Sequence, residues 1–200
     1  RRLEDNVPGL ADLRAGGRHA RLWRRYWLAD PANGAVDLAL HYGLRLAGVD
    51  GCSAAGAALG RRLVPHNHPD WERRADAALQ HLRPELREAD RAALRRRRCT
   101  ELGRLMAEFG VLHRIVAQDR VAIVGAERLH EALACPEPLI LAAVHLSNWE
   151  IGGCPSLLAR LAGFGGPVPE LCWIYQPPRS RFRHALAVRA RRRMGVTLLP

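Results

Sequence analysis

Apolar positions recur at helical spacing through much of the first half of the chain. This periodicity predicts helices over 71–82 and 86–117, with Asp70 as an N-cap and Pro84 as the break between them. The preceding segment, 35–64, is apolar but is interrupted by charged and titratable residues. We therefore expect it to lie at a membrane interface or to pack on protein, because a spanning helix needs about 20 mostly apolar residues.

After residue 120, short apolar runs alternate with helical stretches. The predicted helices are 126–134, 149–162 and 180–194, and the predicted strands are 121–124, 139–145, 171–176 and 196–199. Strands that are apolar throughout are typical of parallel strands covered on both faces. The predicted fold class is α/β, with an N-terminal helical region packed on a mostly parallel sheet that has helices on both faces. Because the sequence stops at Pro200 directly after an apolar run, we expect the C-terminal part of the sheet to be missing.

These patterns divide the chain into three segments. Residues 1–34 are rich in Gly, Pro, Asn and charge and are expected to form a poorly ordered leader. Residues 35–117 are expected to form a helical, membrane-associated region, and 118–200 are expected to form the α/β core. The leader carries an aromatic and basic cluster, which fits a membrane-interface anchor or a capping patch on the first helices equally well; its aromatic residues are Trp23, Tyr26 and Trp27.

The charge of the chain indicates which ligands it can bind, and its cysteines indicate whether it holds disulfides or zinc. The formal net charge is +11 and the sequence contains no lysine, so all 31 basic residues are arginines. Arginine binds phosphate well, and the runs 95–98 and 179–193 keep an arginine-rich nucleic-acid-binding domain as an alternative. No recognition motif supports that alternative, so no nucleic acid is expected. The five cysteines are widely spaced without a CxxC pair, which argues against a disulfide framework or a zinc site.

The most informative stretch is 139–150, where an apolar strand ends in a histidine. His145 falls at the C-terminal end of the predicted strand, at the edge where open α/β sheets bind ligands. An imidazole there can accept a proton from an alcohol at neutral pH. Glu150 opens the next helix and can fold back to the other ring nitrogen, fixing the tautomer and stabilising the imidazolium. The alternative is that His145 ends the strand and Glu150 only favours the helix N-terminus.

Other motifs carry less chemistry. The loop 65–70 contains two histidines and an aspartate, but it lacks a further ligand at zinc spacing, so an interhelical turn is predicted rather than a metal site. The glycines at 152–153 and 163–166 form neither a phosphate-binding loop nor a dinucleotide fingerprint. No cofactor and no metal are expected.

The stretch 145–153, His-Leu-Ser-Asn-Trp-Glu-Ile-Gly-Gly, resembles the HxxxxE box of the lipid A biosynthesis lauroyl/myristoyl acyltransferase family, within the lysophospholipid acyltransferase-like superfamily. Further stretches agree with that family in order, and the similarity runs from about residue 20 to the end of the sequence. These stretches are 84–86, 101–109, 124–127 and 175–177, followed by Arg191 and Gly195.

The resemblance implies an enzyme that moves a fatty acyl group to a hydroxyl of a lipid A precursor. His145 would be the general base and Glu150 its partner, while Arg191, Asn148 and Tyr175 would contribute to substrate binding. The implied partners are an acyl-acyl carrier protein or acyl-CoA donor, a glycolipid acceptor and the membrane surface. The implied location is the cytoplasmic face of the cell inner membrane, and the acyltransferase core would be truncated here.

Three departures from the family concern the substrate more than the reaction type. Family members often have Arg where Gln176 stands, Asn-Pro at 180–181, and Gly where Ser147 stands. The same superfamily fold also serves acylation of phosphatidylinositol mannosides, so this or another glycolipid stays an alternative acceptor. A further alternative is an inactive, membrane-bound relative that scaffolds other lipid enzymes.

Overall fold

The computed structural model describes residues 7–122 and 172–199, except 179, together with parts of the segment between them. Those parts are 124–125, 127–128, 131–132, 135, 137–142, 144, 146–152 and 154. Contacts divide the chain into two compact units, one of residues 1–43 with 169–200 and one of residues 44–168. The division into leader, helical region and core stays a prediction.

The first unit combines N-terminal helical segments with a small βαβ motif. Its helical segments are α1 (Leu10–Ala15), α2 (Gly17–Arg24), a π-helix (Arg25–Ala29) and α3 (Asp30–Leu44). The motif consists of β1 (Cys172–Ile174), α8 (Arg181–Arg193) and β2 (Thr197–Leu199). The two strands pair in parallel with Trp173 opposite Leu198, and the Tyr175 amide donates to the Leu199 carbonyl at 2.9 Å. This parallel pair and the largely helical N-terminal region confirm the α/β class.

Residues 10–34 are helical apart from Gly16, where the sequence leads us to expect a poorly ordered leader. Long-range contacts account for the difference, because local sequence patterns do not reveal them. The Trp27 indole donates to the Pro8 carbonyl at 2.8 Å, and the Arg181 guanidinium lies 4.1 Å from the centre of the Tyr26 ring. Gly34 lets the Phe182 side chain approach α3 more closely than a Cβ would allow.

The second unit is built from helices joined by short connections. Its helical segments are a 3₁₀ segment (Arg45–Ala47), α4 (Gly48–Asn67), α5 (Pro69–Leu82), α6 (Glu88–Glu108) and α7 (Leu112–Ala117). The predicted helices 71–82 and 86–117 are confirmed, with a turn at 109–111 dividing the second. Asp70 is not the N-cap: Pro69 occupies the first turn and His68 precedes it, so Asp70 lies inside the helix. Among the described residues, no helix is both long and apolar enough to cross a membrane.

A dense apolar cluster forms the core of this unit where α4, α6 and α7 meet. Val49 and Cys52 of α4 are buried against Val111 and Ile115, and Ala107 and Ile151 pack around them together with Leu44 and Val121. Ile151 comes from the segment just after the predicted catalytic loop. The core therefore anchors that segment to the helices.

Helices α4 and α6 approach each other through glycines. A Cβ on Gly103 would lie 2.6 Å from the Gly60 Cα and would also overlap the Gly56 carbonyl oxygen. A Cβ on Gly56 would lie 2.6 Å from the Gly103 carbonyl oxygen. Distances this short to backbone atoms cannot be relieved by a side-chain rotation, so the backbones can pack this closely only without side chains here.

Two arginines of the run 95–98 contribute to the contact between α5 and α6, whereas Arg96 and Arg97 are exposed. Arg95 pairs with Asp76, and Arg98 pairs with Glu72. The Cys99 thiol also donates to Glu72, at 3.2 Å. Asp76 and Glu72 on the facing helix hold these two arginines in the interface, and the local sequence around the arginines does not reveal such partners.

The first two predicted strands are not strands in the described part of the chain. Residues 121, 122 and 124 lie outside regular structure, and so do 139–142 and 144. Residues 127–128 and 131–132 are helical, in agreement with the predicted helix 126–134, whereas 149–152 form turns at the start of the predicted helix 149–162. An apolar run alone does not fix a strand, because the strand also needs a partner for its backbone hydrogen bonds.

We expect Gly103→Ala to destabilise the protein by about 2 kcal/mol, because its methyl group would force the α4 and α6 backbones apart. Thermal denaturation measures the effect. The matched control is Gly43→Ala in α3, where a Cβ meets nothing within 4 Å, and this variant should unfold at or slightly above the wild-type temperature. Equal melting temperatures for the two variants would contradict the proposed close helix contact.

Thiol labelling should separate the cysteines by burial. Desolvation, helped by the hydrogen bond to Glu72, raises the pKa of Cys99 to about 11, and burial also raises the pKa of Cys52. Because the thiolate is the reactive form, iodoacetamide at a pH of about 8 should label exposed Cys135 and leave Cys52 and Cys99 unmodified until denaturant is added. Peptide mass mapping checks this, and rapid native labelling of Cys99 would contradict it.

Candidate active site

The predicted catalytic pair is only partly described by the structure. His145 lies outside the described residues, so its pairing with Glu150 stays a prediction. Glu150 is 4% exposed and is the one buried charged residue found in the described part of the chain. A buried carboxylate is costly unless neighbouring groups compensate it, which makes Glu150 the residue of this segment with the clearest sign of a specific role.

Consecutive turns bring Glu150 into the interior. The Leu146 amide donates to the Val144 carbonyl at 2.8 Å, and the Ile151 amide donates to the Asn148 carbonyl at 3.3 Å. Ser147, between them, has φ +47°, in the left-handed region that favours glycine. Cys154, which follows, is buried, and its amide donates to the Ile151 carbonyl at 3.1 Å. The loop is thus tightly folded and fixed to the core at its C-terminal side.

A polar network holds the middle of this loop. The Asn148 Nδ2 donates to Oε2 of Glu108 at 2.7 Å, and the Ser53 hydroxyl donates to Oε1 of the same carboxylate at 2.6 Å. Arg104 donates to the Ser53 hydroxyl at 2.6 Å. Asn148 was expected in the site, whereas no role was expected for Ser53, Arg104 or Glu108. The only signal for the last two was their position in the stretch 101–109 that resembles the family.

A second cluster in the first unit brings two predicted substrate-binding residues together. The Arg191 guanidinium lies 4.6 Å from the centre of the Tyr175 ring and 5.5 Å from that of Trp173. The Tyr175 hydroxyl lies 3.3 Å from Nδ1 of His184, and the two rings stack. Cation–π contact with two rings orients the guanidinium, whose N–H groups point outwards within its own plane. Trp173 and His184 were not predicted.

Partners within the protein distinguish the arginines of α8. Arg183 makes two hydrogen bonds to the Asp37 carboxylate, at 2.7 and 3.1 Å, and this contact raises the pKa of Arg183. Arg181 lies 3.5 Å from Asp30. By contrast, Arg189, Arg192 and Arg193 line an open groove beside His184. Several arginines that motivated a nucleic-acid alternative therefore bind acidic side chains instead.

The histidine-containing loop 65–70 is not a loop of the predicted length. Helix α4 continues through Pro65 to Asn67, and α5 begins at Pro69, so His68 alone joins them. Its ring stacks on Trp71 with the ring centres 4.0 Å apart. Within the described ranges, no group of three or more His, Cys, Asp or Glu side chains is arranged to hold a metal ion.

Comparison with protein families identifies the class. The model of the bacterial lipid A biosynthesis acyltransferases matches residues 24–199. The chain belongs to this family. No curated protein and no solved structure matches the chain significantly. The family assignment confirms the predicted resemblance and an enzyme that transfers acyl groups, with an acyl donor and a lipid acceptor as its substrates.

In this lipid A acyltransferase family member, Ser147 stands in a backbone conformation that glycine adopts without strain. We expect Ser147→Gly to stabilise the fold by about 1 kcal/mol, the left-handed penalty of serine less the extra unfolded-state entropy of glycine. Urea denaturation measures the change. The control is Ala54→Gly at an exposed position of α4, which should destabilise the protein because glycine is a poor helix former. A loss of stability in Ser147→Gly would contradict the assigned strain.

Proposed function

We propose that this protein transfers a fatty acyl group from acyl carrier protein or acyl-CoA to a hydroxyl of a lipid A precursor, with His145 as general base and Glu150 as its partner. The observation that carries the proposal is the burial of Glu150, five residues after His145, in a chain that belongs to the lipid A acyltransferase family. A buried carboxylate close in sequence to a histidine supplies the second member of a proton-accepting pair.

The chemistry needs no protein nucleophile. His145 accepts the proton of the acceptor hydroxyl as the oxygen attacks the thioester carbonyl of the donor. The tetrahedral intermediate then collapses, the C–S bond breaks, and the imidazolium returns its proton to the departing thiolate. Glu150 stabilises the imidazolium between these two steps. The products are an ester of the acceptor and the free thiol of the donor, so atoms and charge balance.

Substrate binding is assigned to residues that offer cationic or polar groups. The Arg191 guanidinium, oriented by Tyr175 and Trp173, is suited to a phosphate on the glycolipid acceptor or on the donor's pantetheine arm. Asn148 was predicted to bind substrate as well, but its contact with Glu108 favours a structural role.

The membrane surface at the cytoplasmic face of the inner membrane is the proposed location. Near the N-terminus, exposed Leu22, Trp27 and Leu28 stand beside Arg21, Arg24 and Arg25. Apolar and aromatic side chains next to arginines are the combination that partitions to the interface of an anionic bilayer. This supports the anchor interpretation of the aromatic and basic cluster over the capping patch, although Tyr26 is covered by Arg181.

The test is acyl transfer by the full-length protein and its variants in membranes that contain lipid A precursors. His145→Ala should lower the transfer rate by about a thousandfold, because the reaction loses its general base. Glu150→Gln should lower it by at least about a hundredfold, because the imidazolium loses its counter-charge. Lipid mass spectrometry gives the product, and a mass shift on another glycolipid, such as a phosphatidylinositol mannoside, would identify a different acceptor.

Matched controls use residues of the same type in exposed positions. His81→Ala in α5 and Glu131→Gln remove a histidine and a glutamate that face solvent, and both should keep wild-type transfer rates. Unchanged transfer in a folded His145→Ala variant would disprove the proposal. An inactive wild-type protein that still binds membranes would instead favour the scaffolding relative.

A further inference from the structure

We propose that Glu108 is a positioning residue for the catalytic loop, acting through Asn148, which lies between His145 and Glu150 in the sequence. Its carboxylate fixes the Asn148 side chain and thereby the path of the loop between the proposed base and its partner. This inference rests on the proposed function of the loop, and it changes the role of Asn148 from substrate binding to tethering.

The carboxylate of Glu108 is bound on both of its oxygens. Asn148 donates to Oε2 at 2.7 Å and Ser53 donates to Oε1 at 2.6 Å, while Arg104 donates to the Ser53 hydroxyl at 2.6 Å. Glu108 is the last residue of α6, and Ser53 lies on α4. The two helices that meet at the glycine contact, α4 and α6, therefore orient the carboxylate of Glu108 that binds the loop.

These three hydrogen bonds are expected to be stronger than those between neutral, exposed groups. Each joins residues at least 40 positions apart in the sequence, and all three are partly buried. A carboxylate acceptor gives shorter and stronger bonds than a neutral one, and partial burial reduces competition from water. By comparison, the Glu88 carboxylate at the other end of α6 is itself exposed where it pairs with Arg91 and Arg95, and an ion pair with an exposed partner contributes less.

The direction of the bond determines what Asn148 can do. A carboxylate only accepts hydrogen bonds, so the amide NH₂ of Asn148 must face Glu108. The same side chain lies between the left-handed Ser147 and the turn that leads to Glu150. With Ile151 packed in the core on the far side, the loop is held at two points around Glu150. Small displacements of catalytic groups can reduce rates about a hundredfold.

A reversed hydrogen bond provides the test. Asn148→Asp places a carboxylate opposite Glu108 and should lower kcat about a hundredfold with little change in KM, because the loop is pushed off Glu108. Glu108→Gln leaves one acceptor oxygen and should lower kcat about tenfold. In the double variant, the glutamine that replaces Glu108 can accept from Ser53 and donate to the new aspartate, so kcat should recover at least about tenfold over Asn148→Asp.

Glu88→Gln on the same helix is the matched control and should keep wild-type kcat. Multiplicative losses without recovery in the double variant would overturn the positioning role, as would variants that lose melting temperature but keep kcat. If Asn148→Asp does not fold, Glu108→Gln and Ser53→Ala decide the question through kcat at unchanged KM. An active His145→Ala variant would disprove the proposed function itself, whereas an inactive one beside fully active Glu108→Gln and Asn148→Asp variants would disprove only the role of Glu108.

Discussion

The close approach of α4 and α6 through Gly56, Gly60 and Gly103 is the constraint on which the second unit depends. Because no side chain separates the two backbones there, the groups that flank the glycines reach each other directly. The Cys52 thiol lies 3.2 Å from the Ala107 carbonyl, and the Ser53 hydroxyl lies 2.6 Å from the Glu108 carboxylate. A methyl group at the contact would lengthen these bonds together, so helix packing and the polar network form one structural unit.

The candidate site is an extension of that contact. Glu108 at the end of α6 accepts a hydrogen bond from Asn148, and Ile151 packs against the apolar core cluster of the second unit. Polar and apolar anchors therefore lie on either side of Glu150 in the sequence, and Glu150 is buried as a result. Family membership gives the reaction class, acyl transfer, and the proposed proton-transfer role of Glu150 rests on its burial.

The arginines show what sequence patterns can and cannot predict. Their number and clustering indicate affinity for anions, but the interaction that each guanidinium makes depends on the side chains around it. Arg183 binds Asp37, Arg95 binds Asp76, and Arg191 lies over Tyr175. These partners are 15 or more residues away in the chain, so no local pattern distinguishes an arginine that closes an interface from one that aromatic rings orient.

The sequence by itself determined the helices of 71–117, the strand–helix–strand order of 171–199 and the HxxxxE box, because periodicity and a short motif are local properties. Tertiary structure alone decided that the N-terminal segment is helical, that Glu108 holds Asn148, and that Glu150 is buried. Each of these depends on a contact between residues far apart in the chain, and its free energy exists only after the helices have packed. Ser147 shows the same division: its identity is local, but its left-handed conformation is imposed by the loop that the core anchors.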